Sequence, residues 1–189
     1  MRFHIRTRSE GLAKNFTKPS GKKKQRINPG ASVSVVAGIV GCRIRLWHYL
    51  PKKRWNAKVA AAVYQGPIKK VLRRHCGRKK EYLILEDNDP TGYKSKAAIE
   101  AKRKLSFKAV PFPRYSPDLN PLDFSLWHAI ETRMDKNTPK KKETVEEYKK
   151  RLRRTALATP KHIVRKAVMN ILPRALAVIK ELGGNIPRD

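Results

Sequence analysis

Hydrophobic and polar positions alternate with different periods along this chain, and each change of period predicts a different element. Apolar residues dominate "ASVSVVAGIVG" (31–41), and apolar and basic residues alternate in "CRIRLWHYL" (42–50), which predicts two strands that turn at Gly41. Further along, the pattern predicts strands over 80–87 and 106–112 and helices over 56–76, 93–105, 120–133, 144–156 and from 160 onward. Strands that alternate with helices imply parallel pairing after the antiparallel hairpin, so we expect an α/β fold with a mixed sheet flanked by helices.

Capping and helix-breaking residues indicate where the predicted helices begin and end. Asn56 is a suitable N-cap, and Gly66-Pro67 should kink or split the first helix. Asn120-Pro121 supplies a cap and a first-turn proline for a later helix. Thr144 and Glu147 have the spacing of a capping box.

Composition divides the chain into three parts. Residues 1–30 are basic and punctuated by glycine and proline, which predicts an irregular arm. Residues 31–134 contain all the predicted strands and therefore the expected core. The third part, residues 135–189, begins with the charged linker "DKNTPKKK" (135–142), and we predict it to be a helical C-terminal extension.

The charge is strongly positive and unevenly distributed. The chain has 45 Lys and Arg against 15 Asp and Glu, a formal net charge of +30, and residues 1–80 contain a single acid, Glu10. Such an excess repels itself unless a polyanion neutralises it, so nucleic acid is the expected partner. The stretch "KKVLRRHCGRKK" offers the best candidates for phosphate contact, although a solvated helix face would have the same residues: Lys69, Lys70, Arg73, Arg74 and Arg78.

Several other classes of protein fit the sequence poorly. Two cysteines, Cys42 and Cys76, are too few for a disulfide framework and favour an intracellular compartment. No apolar run reaches the 18 residues of a membrane span, so we expect no membrane partner. The basic run "GKKKQR" is typical of a nuclear address and predicts nuclear localisation. The three tryptophans are predicted to be core or strand-face residues rather than base-stacking platforms.

Carboxylates, which are scarce in this chain, concentrate at two of the predicted element boundaries. Asp87 ends the predicted buried strand "KEYLILED" (80–87), and Asp118 and Asp123 lie where "SPDLNPLDF" enters a helix. In isolation such acids are turn and cap residues. An acid that ends a strand and an acid that opens a helix can also converge on one site, where carboxylates hold Mg²⁺ or Mn²⁺ for phosphodiester chemistry.

These segments carry a resemblance to a known family. "LEDNDP" followed by "RYSPDLNPLDFSLW" resembles the catalytic-domain signature of mariner-superfamily DDE/D transposases, most closely a divergent protist branch with a similar "RLRRTA" (151–156). The resemblance implies an RNase H-like fold over 31–134 and DNA as the partner. It places the family's second catalytic and metal-holding acid on Asp87 and the third on Asp123 rather than Asp118, with Mg²⁺ or Mn²⁺ as cofactor, and it leaves a homodimer open.

The chain departs from the family pattern at the first catalytic acid. No Asp precedes Asp87, and "GLAKNFTKP" (11–19) resembles a segment that follows the missing strand in the same branch. We therefore expect a truncated, transposase-derived chain that binds DNA, holds Mg²⁺ weakly and has impaired cleavage and strand transfer. One alternative is a non-catalytic nucleic-acid-binding protein that retains the fold. Another, an RNA-packing protein with chance motifs, predicts that Asp87 and Asp123 lie far apart.

Overall fold

Five strands and seven α-helices make up the part of the chain that the computed structural model describes, which is residues 2–4, 32–50, 55–78, 80–87, 92–113, 116–139, 143–183 and 186. The strands are β1 (Arg2–His4), β2 (Ser32–Val40), β3 (Arg43–Tyr49), β4 (Tyr82–Ile84) and β5 (Phe107–Ala109). The helices are α1 (Ala57–Val63), α2 (Lys69–Cys76), α3 (Lys96–Lys104), α4 (Trp127–Lys136), α5 (Val145–Leu157), α6 (Lys161–Met169) and α7 (Ile171–Lys180). Among the described residues, no helix is long and apolar enough to cross a membrane.

The predicted antiparallel hairpin is confirmed. Strands β2 and β3 pair from Val35 opposite Tyr49 to Val40 opposite Arg43, and they turn through Gly41 and Cys42, which both have a φ of 58°. Two consecutive positive φ values are typical of the tight turn that suits twisted hairpins. On the other edge of β2, strand β1 pairs antiparallel with it. Arg2–His4 therefore form a strand within the segment predicted to be mostly irregular, and residues 5–30 lie outside the described part of the chain.

The predicted parallel pair is also confirmed, but its first strand differs from expectation. Strands β4 and β5 pair in parallel, with Tyr82 opposite Phe107, and α3 makes the connection between them. The strand predicted over 80–87 is regular only over β4, so Asp87 lies three residues beyond its end. It is also not buried on both faces, since the Leu83 side chain is 70% exposed. Helix α3 and its neighbours cover only one face of this pair.

The larger hydrophobic core joins the hairpin to the C-terminal helices. Trp47 of β3 packs edge-on against Trp127, with ring centroids 6.0 Å apart, and Leu126 is fully buried beside them. Buried residues of α5 and α6, including Leu152 and Val164, belong to the same core. Residues 145–169 therefore complete the core instead of forming a separate extension after residue 134. The buried Trp47 and Trp127 agree with their predicted role as core residues.

A smaller core lies under β4 and β5. It consists of Ala60 of α1, Tyr64, and Ala98 and Ala101 of α3, and all four are at most 1% exposed. Alanines on facing helices allow close approach, which places Tyr64 against the strand pair. At Gly66-Pro67, where a kink or a split was predicted, the structure has a π-helical turn, Tyr64–Ile68, between α1 and α2. A π turn accommodates the missing N–H of proline by widening the backbone locally.

The predicted helix caps at Asn56 and at Thr144 are confirmed. The Asn56 side chain accepts a hydrogen bond from the Val59 N–H at 3.0 Å. Thr144 and Glu147 form a reciprocal capping box, in which the Thr144 N–H donates to Glu147 and the Glu147 N–H donates to the Thr144 hydroxyl. These bonds satisfy backbone donors that the first helical turn leaves free.

Candidate metal centre and nucleic-acid surface

Asp87 is exposed and lies just beyond the carboxyl end of β4. In parallel α/β sheets this edge is where ligands bind, because the loops that leave the strands open there. The hydrogen bond from the Val110 N–H to the Ile84 carbonyl, at 2.8 Å, extends the pairing of β4 and β5 toward this edge. Asn88, the residue that follows Asp87, lies outside the described residues.

Asp123 is held by hydrogen bonds to both of its carboxylate oxygens. It lies in a second π-helical turn, Leu122–Leu126, that leads into α4. The Trp127 indole N–H donates to one oxygen at 3.0 Å, and the Asn120 side-chain amide donates to the other at 2.7 Å. Asn120 also accepts the Leu122 N–H at 3.1 Å, so the predicted cap residue orients the acid as well. These contacts restrict the direction in which the carboxylate points.

In the structure, Asp123 lies close enough to Asp87 for the two charges to interact. Partial desolvation is the largest effect and raises the pKa of the Asp123 carboxyl, and the negative charge of Asp87 raises it further. The hydrogen bonds from Trp127 and Asn120 act in the opposite direction. An ionised carboxyl with a raised pKa destabilises the fold as the pH rises through that pKa. This proximity argues against chance motifs, which would leave the two acids apart.

Two neighbouring carboxylates fit a single divalent cation. Their mutual repulsion is relieved by a bound positive charge, and Mg²⁺ needs only one or two carboxylates when water or phosphate oxygens complete its shell. Among the described residues, no three His, Cys, Asp or Glu side chains group closely enough to hold a metal ion by themselves. A cation held between Asp87 and Asp123 would therefore need water or phosphate oxygens as its remaining ligands.

Asp118 has a different environment from Asp123. The Arg174 guanidinium of α7 donates to the Asp118 carbonyl at 2.7 Å and lies 3.8 Å from its carboxylate. The same guanidinium lies over the Phe124 ring, 4.6 Å from its centroid. These contacts give Asp118 a structural role, which is to tie the turn before Asp123 to the C-terminal helix. Sequence reasoning did not identify Arg174, because its partner is 56 residues away.

The predicted phosphate-contacting residues lie together on α2 and the turn after it. Lys70, Arg73, Arg74 and Arg78 are exposed, and Lys69 is half-buried. None of the five forms an ion pair with another described residue. Their charges are therefore available to a polyanion.

Strand β3 extends this basic surface. Arg43 and Arg45 are exposed while the residues that alternate with them are buried, and β3 contacts the π turn that precedes α2. Slight desolvation and the charges of Arg45 and Arg74 lower the pKa of His75, which places Arg45 near the end of α2. The alternation of these arginines with apolar residues in the sequence indicated that they are exposed. It did not indicate that α2 lies beside them. The basic surface is defined here as these seven residues: Arg43, Arg45, Lys69, Lys70, Arg73, Arg74 and Arg78.

No family model and no curated protein matches the sequence. Solved structures do match the fold. The catalytic domain of Mos1 mariner transposase superposes with a TM-score of 0.69 and 20% identity, covering 82% of this chain and 76% of that chain. The Mos1 paired-end complex with Mn superposes with a TM-score of 0.74 and 18% identity over 90% of this chain. The Mos1 strand transfer complex superposes with a TM-score of 0.69 and 20% identity, also over 90% of this chain.

The chain spans 49% and 48% of the protein chains in those two complexes. At identities of 20% or less the likeness concerns the fold. The mixed α/β architecture, the antiparallel hairpin and the parallel pair of β4 and β5 agree with it. The chain therefore has the RNase H-like fold of a mariner DDE transposase catalytic domain, as the resemblance in its sequence implied.

Proposed function

We propose that this chain is a transposase-derived DNA-binding domain whose parent activity is metal-dependent phosphodiester cleavage and strand transfer. One observation carries the proposal. On a fold shared with the Mos1 catalytic domain, Asp87 beyond β4 and Asp123 before α4 lie close enough for the charge of one to raise the pKa of the other. The basic surface supplies the charge that DNA phosphates require.

Each residue of the candidate site has a definite role in this proposal. Asp87 and Asp123 hold Mg²⁺ or Mn²⁺, and a bound divalent ion would supply Lewis-acid stabilisation of charge on phosphate oxygens. Trp127 and Asn120 restrict the orientation of the Asp123 carboxylate. The basic surface binds the DNA backbone and positions it without reading its sequence.

Residues 1–189 carry two of the three acids that the family resemblance implies, Asp87 and Asp123. Two carboxylates alone would hold one ion loosely, and a third acid would be needed for the two-ion arrangement that activates the attacking and leaving oxygens. The alternative within the same fold is a purely non-catalytic DNA-binding protein. Nuclear localisation, proposed from "GKKKQR", suits either function.

A cleavage assay distinguishes the two functions. A labelled DNA duplex incubated with the native chain and Mn²⁺ should be nicked slowly, and the Asp87→Ala/Asp123→Ala variant should not nick it. Denaturing electrophoresis measures the product. Equal rates for the two proteins would show that this chain lacks the parent chemistry and acts by binding alone.

Neutralising part of the basic surface should weaken DNA binding in a salt-dependent way. In the variant Lys70→Gln/Arg73→Gln/Arg74→Gln, the slope of log affinity against log salt should fall by about 3, because each basic residue at a phosphate contributes about 1. Fluorescence anisotropy with a labelled duplex at several salt concentrations measures this slope. The control is Lys161→Gln/Arg165→Gln/Lys166→Gln, which removes the same charge from exposed positions on α6. Equal loss in both variants would mean that net charge, and not this surface, binds DNA.

A further inference from the structure

Glu86, the residue before Asp87, occupies a buried network of its own. Its carboxylate accepts hydrogen bonds from the Tyr64 hydroxyl and the Lys102 ammonium group on its two oxygens. The side chains of Lys102 and Glu86 are only 11% and 13% exposed, and Tyr64 is 1% exposed. Consecutive acids in "LED" therefore have different surroundings: Glu86 contacts α3 and the π turn, whereas Asp87 is exposed and its charge acts on Asp123.

The Glu86 carboxylate has partners for both of its oxygens and for its charge. A nearly buried carboxylate is tolerated when a cation and further donors satisfy it, and Lys102 and Tyr64 meet both needs. The Lys102 ammonium also lies 5.3 Å from the centroid of the Tyr64 ring, within range of a cation–π contact. Burial is the largest effect that raises the pKa of the Tyr64 hydroxyl, and the Glu86 carboxylate raises it further, so Tyr64 remains a donor.

This network fixes the chain at the point from which Asp87 projects. Regular pairing of β4 ends at Ile84, so residues 85–87 are not held by the strand itself. Glu86 ties that segment to Lys102 on α3 and to Tyr64 in the π turn. The backbone on the N-terminal side of Asp87 is therefore held by the contacts of the Glu86 side chain.

We propose that Tyr64, Glu86 and Lys102 are positioning residues that hold Asp87 opposite Asp123 and thereby set the affinity of the site for Mg²⁺. Glu86 is accordingly not a third metal ligand, because its nearly buried carboxylate is already neutralised by the Lys102 ammonium group. The inference rests on the proposed function of Asp87 and Asp123 as a metal site. The inference adds that the geometry of this site depends on three residues behind Asp87, which do not themselves bind the metal.

The competing explanation is that the network only stabilises the smaller core. A second nearly buried ion pair provides the matched control. Arg151 and Glu143 are 11% and 10% exposed and belong to the C-terminal helical region, where they contact the end of α4. Breaking that pair should cost stability in a similar way but should leave the surroundings of Asp87 unchanged.

Calorimetric titration of the full-length chain with Mg²⁺ tests the inference. Loss of partners behind a metal ligand lowers metal affinity about 10- to 100-fold, and we expect this for Glu86→Ala. Glu86→Gln, which keeps an acceptor for Tyr64, should retain part of the affinity. The control Arg151→Met should bind Mg²⁺ within about twofold of the native chain. All proteins are compared at a temperature at which circular dichroism shows them folded, and Lys102→Met replaces Glu86→Ala if the latter does not fold.

The outcomes separate positioning from general stability. If folded Glu86→Ala binds Mg²⁺ like the native chain, or if Arg151→Met weakens binding equally, the positioning role is wrong. If the native chain itself binds no Mg²⁺, the proposed metal site is wrong and the positioning role falls with it.

Discussion

Replacing Arg151 by methionine should lower the free energy of unfolding by about 3–5 kcal/mol, the usual cost of leaving one member of a buried ion pair without its partner. The Arg151 guanidinium donates to both carboxylate oxygens of Glu143, at 2.7 and 2.6 Å. A further bond of 3.0 Å to the Met134 carbonyl ties α5 to the end of α4. The substitution leaves Glu143 charged, nearly buried and unpaired. Urea unfolding followed by circular dichroism measures the loss.

An exposed ion pair on the same helix provides the control. The Lys149 ammonium lies 2.7 Å from Glu146, whose side chain is 72% exposed. Glu146→Gln should change the free energy of unfolding by less than about 1 kcal/mol, since exposed pairs contribute little. Similar small losses in both variants would show that the Arg151 pair is not effectively buried in solution.

Local sequence signals predicted the elements whose causes are local. The turn at Gly41, the cap at Asn56 and the capping box at Thr144 each depend on a few neighbouring residues, and the structure confirms all three. The parallel pairing of β4 and β5 followed from the helix between them. These features needed no knowledge of distant contacts.

Features that depend on distant contacts could not be predicted. The pattern of "KEYLILED" indicated a buried strand, but no described element covers Leu83. The charged linker before α5 suggested a boundary, whereas Leu152 and Val164 bury their side chains against the hairpin. Periodicity shows which face of an element is apolar and does not show which element covers it.

The candidate site divides in the same way. Asp87 and Asp123 were chosen from the logic of strand and helix ends together with the family resemblance, and the structure places them near each other. The residues that hold them were not identified as such: the Trp127 indole was expected only to be a core or strand-face residue, and Lys102 was not singled out. Both roles depend on side-chain direction, which the sequence pattern leaves open.

Removing either acid should largely abolish Mg²⁺ binding. Loss of a residue behind a metal ligand already costs about 10- to 100-fold, so loss of Asp87 or Asp123 should cost at least as much. Lowering the pH should also weaken Mg²⁺ binding by the native chain. Because desolvation and Asp87 raise the pKa of Asp123, protons compete with Mg²⁺ at a higher pH than for an ordinary aspartate.

The most direct test of this account is isothermal titration of Mg²⁺ into the native chain, Asp87→Ala, Asp123→Ala and the double variant. Asp135→Asn, an exposed acid on α4, controls for the loss of one negative charge. A single Mg²⁺ site that weakens at least about tenfold in each single variant, with little further loss in the double variant, would place both acids at one ion. Native binding that survives in the double variant, or no native binding at all, would contradict the metal site.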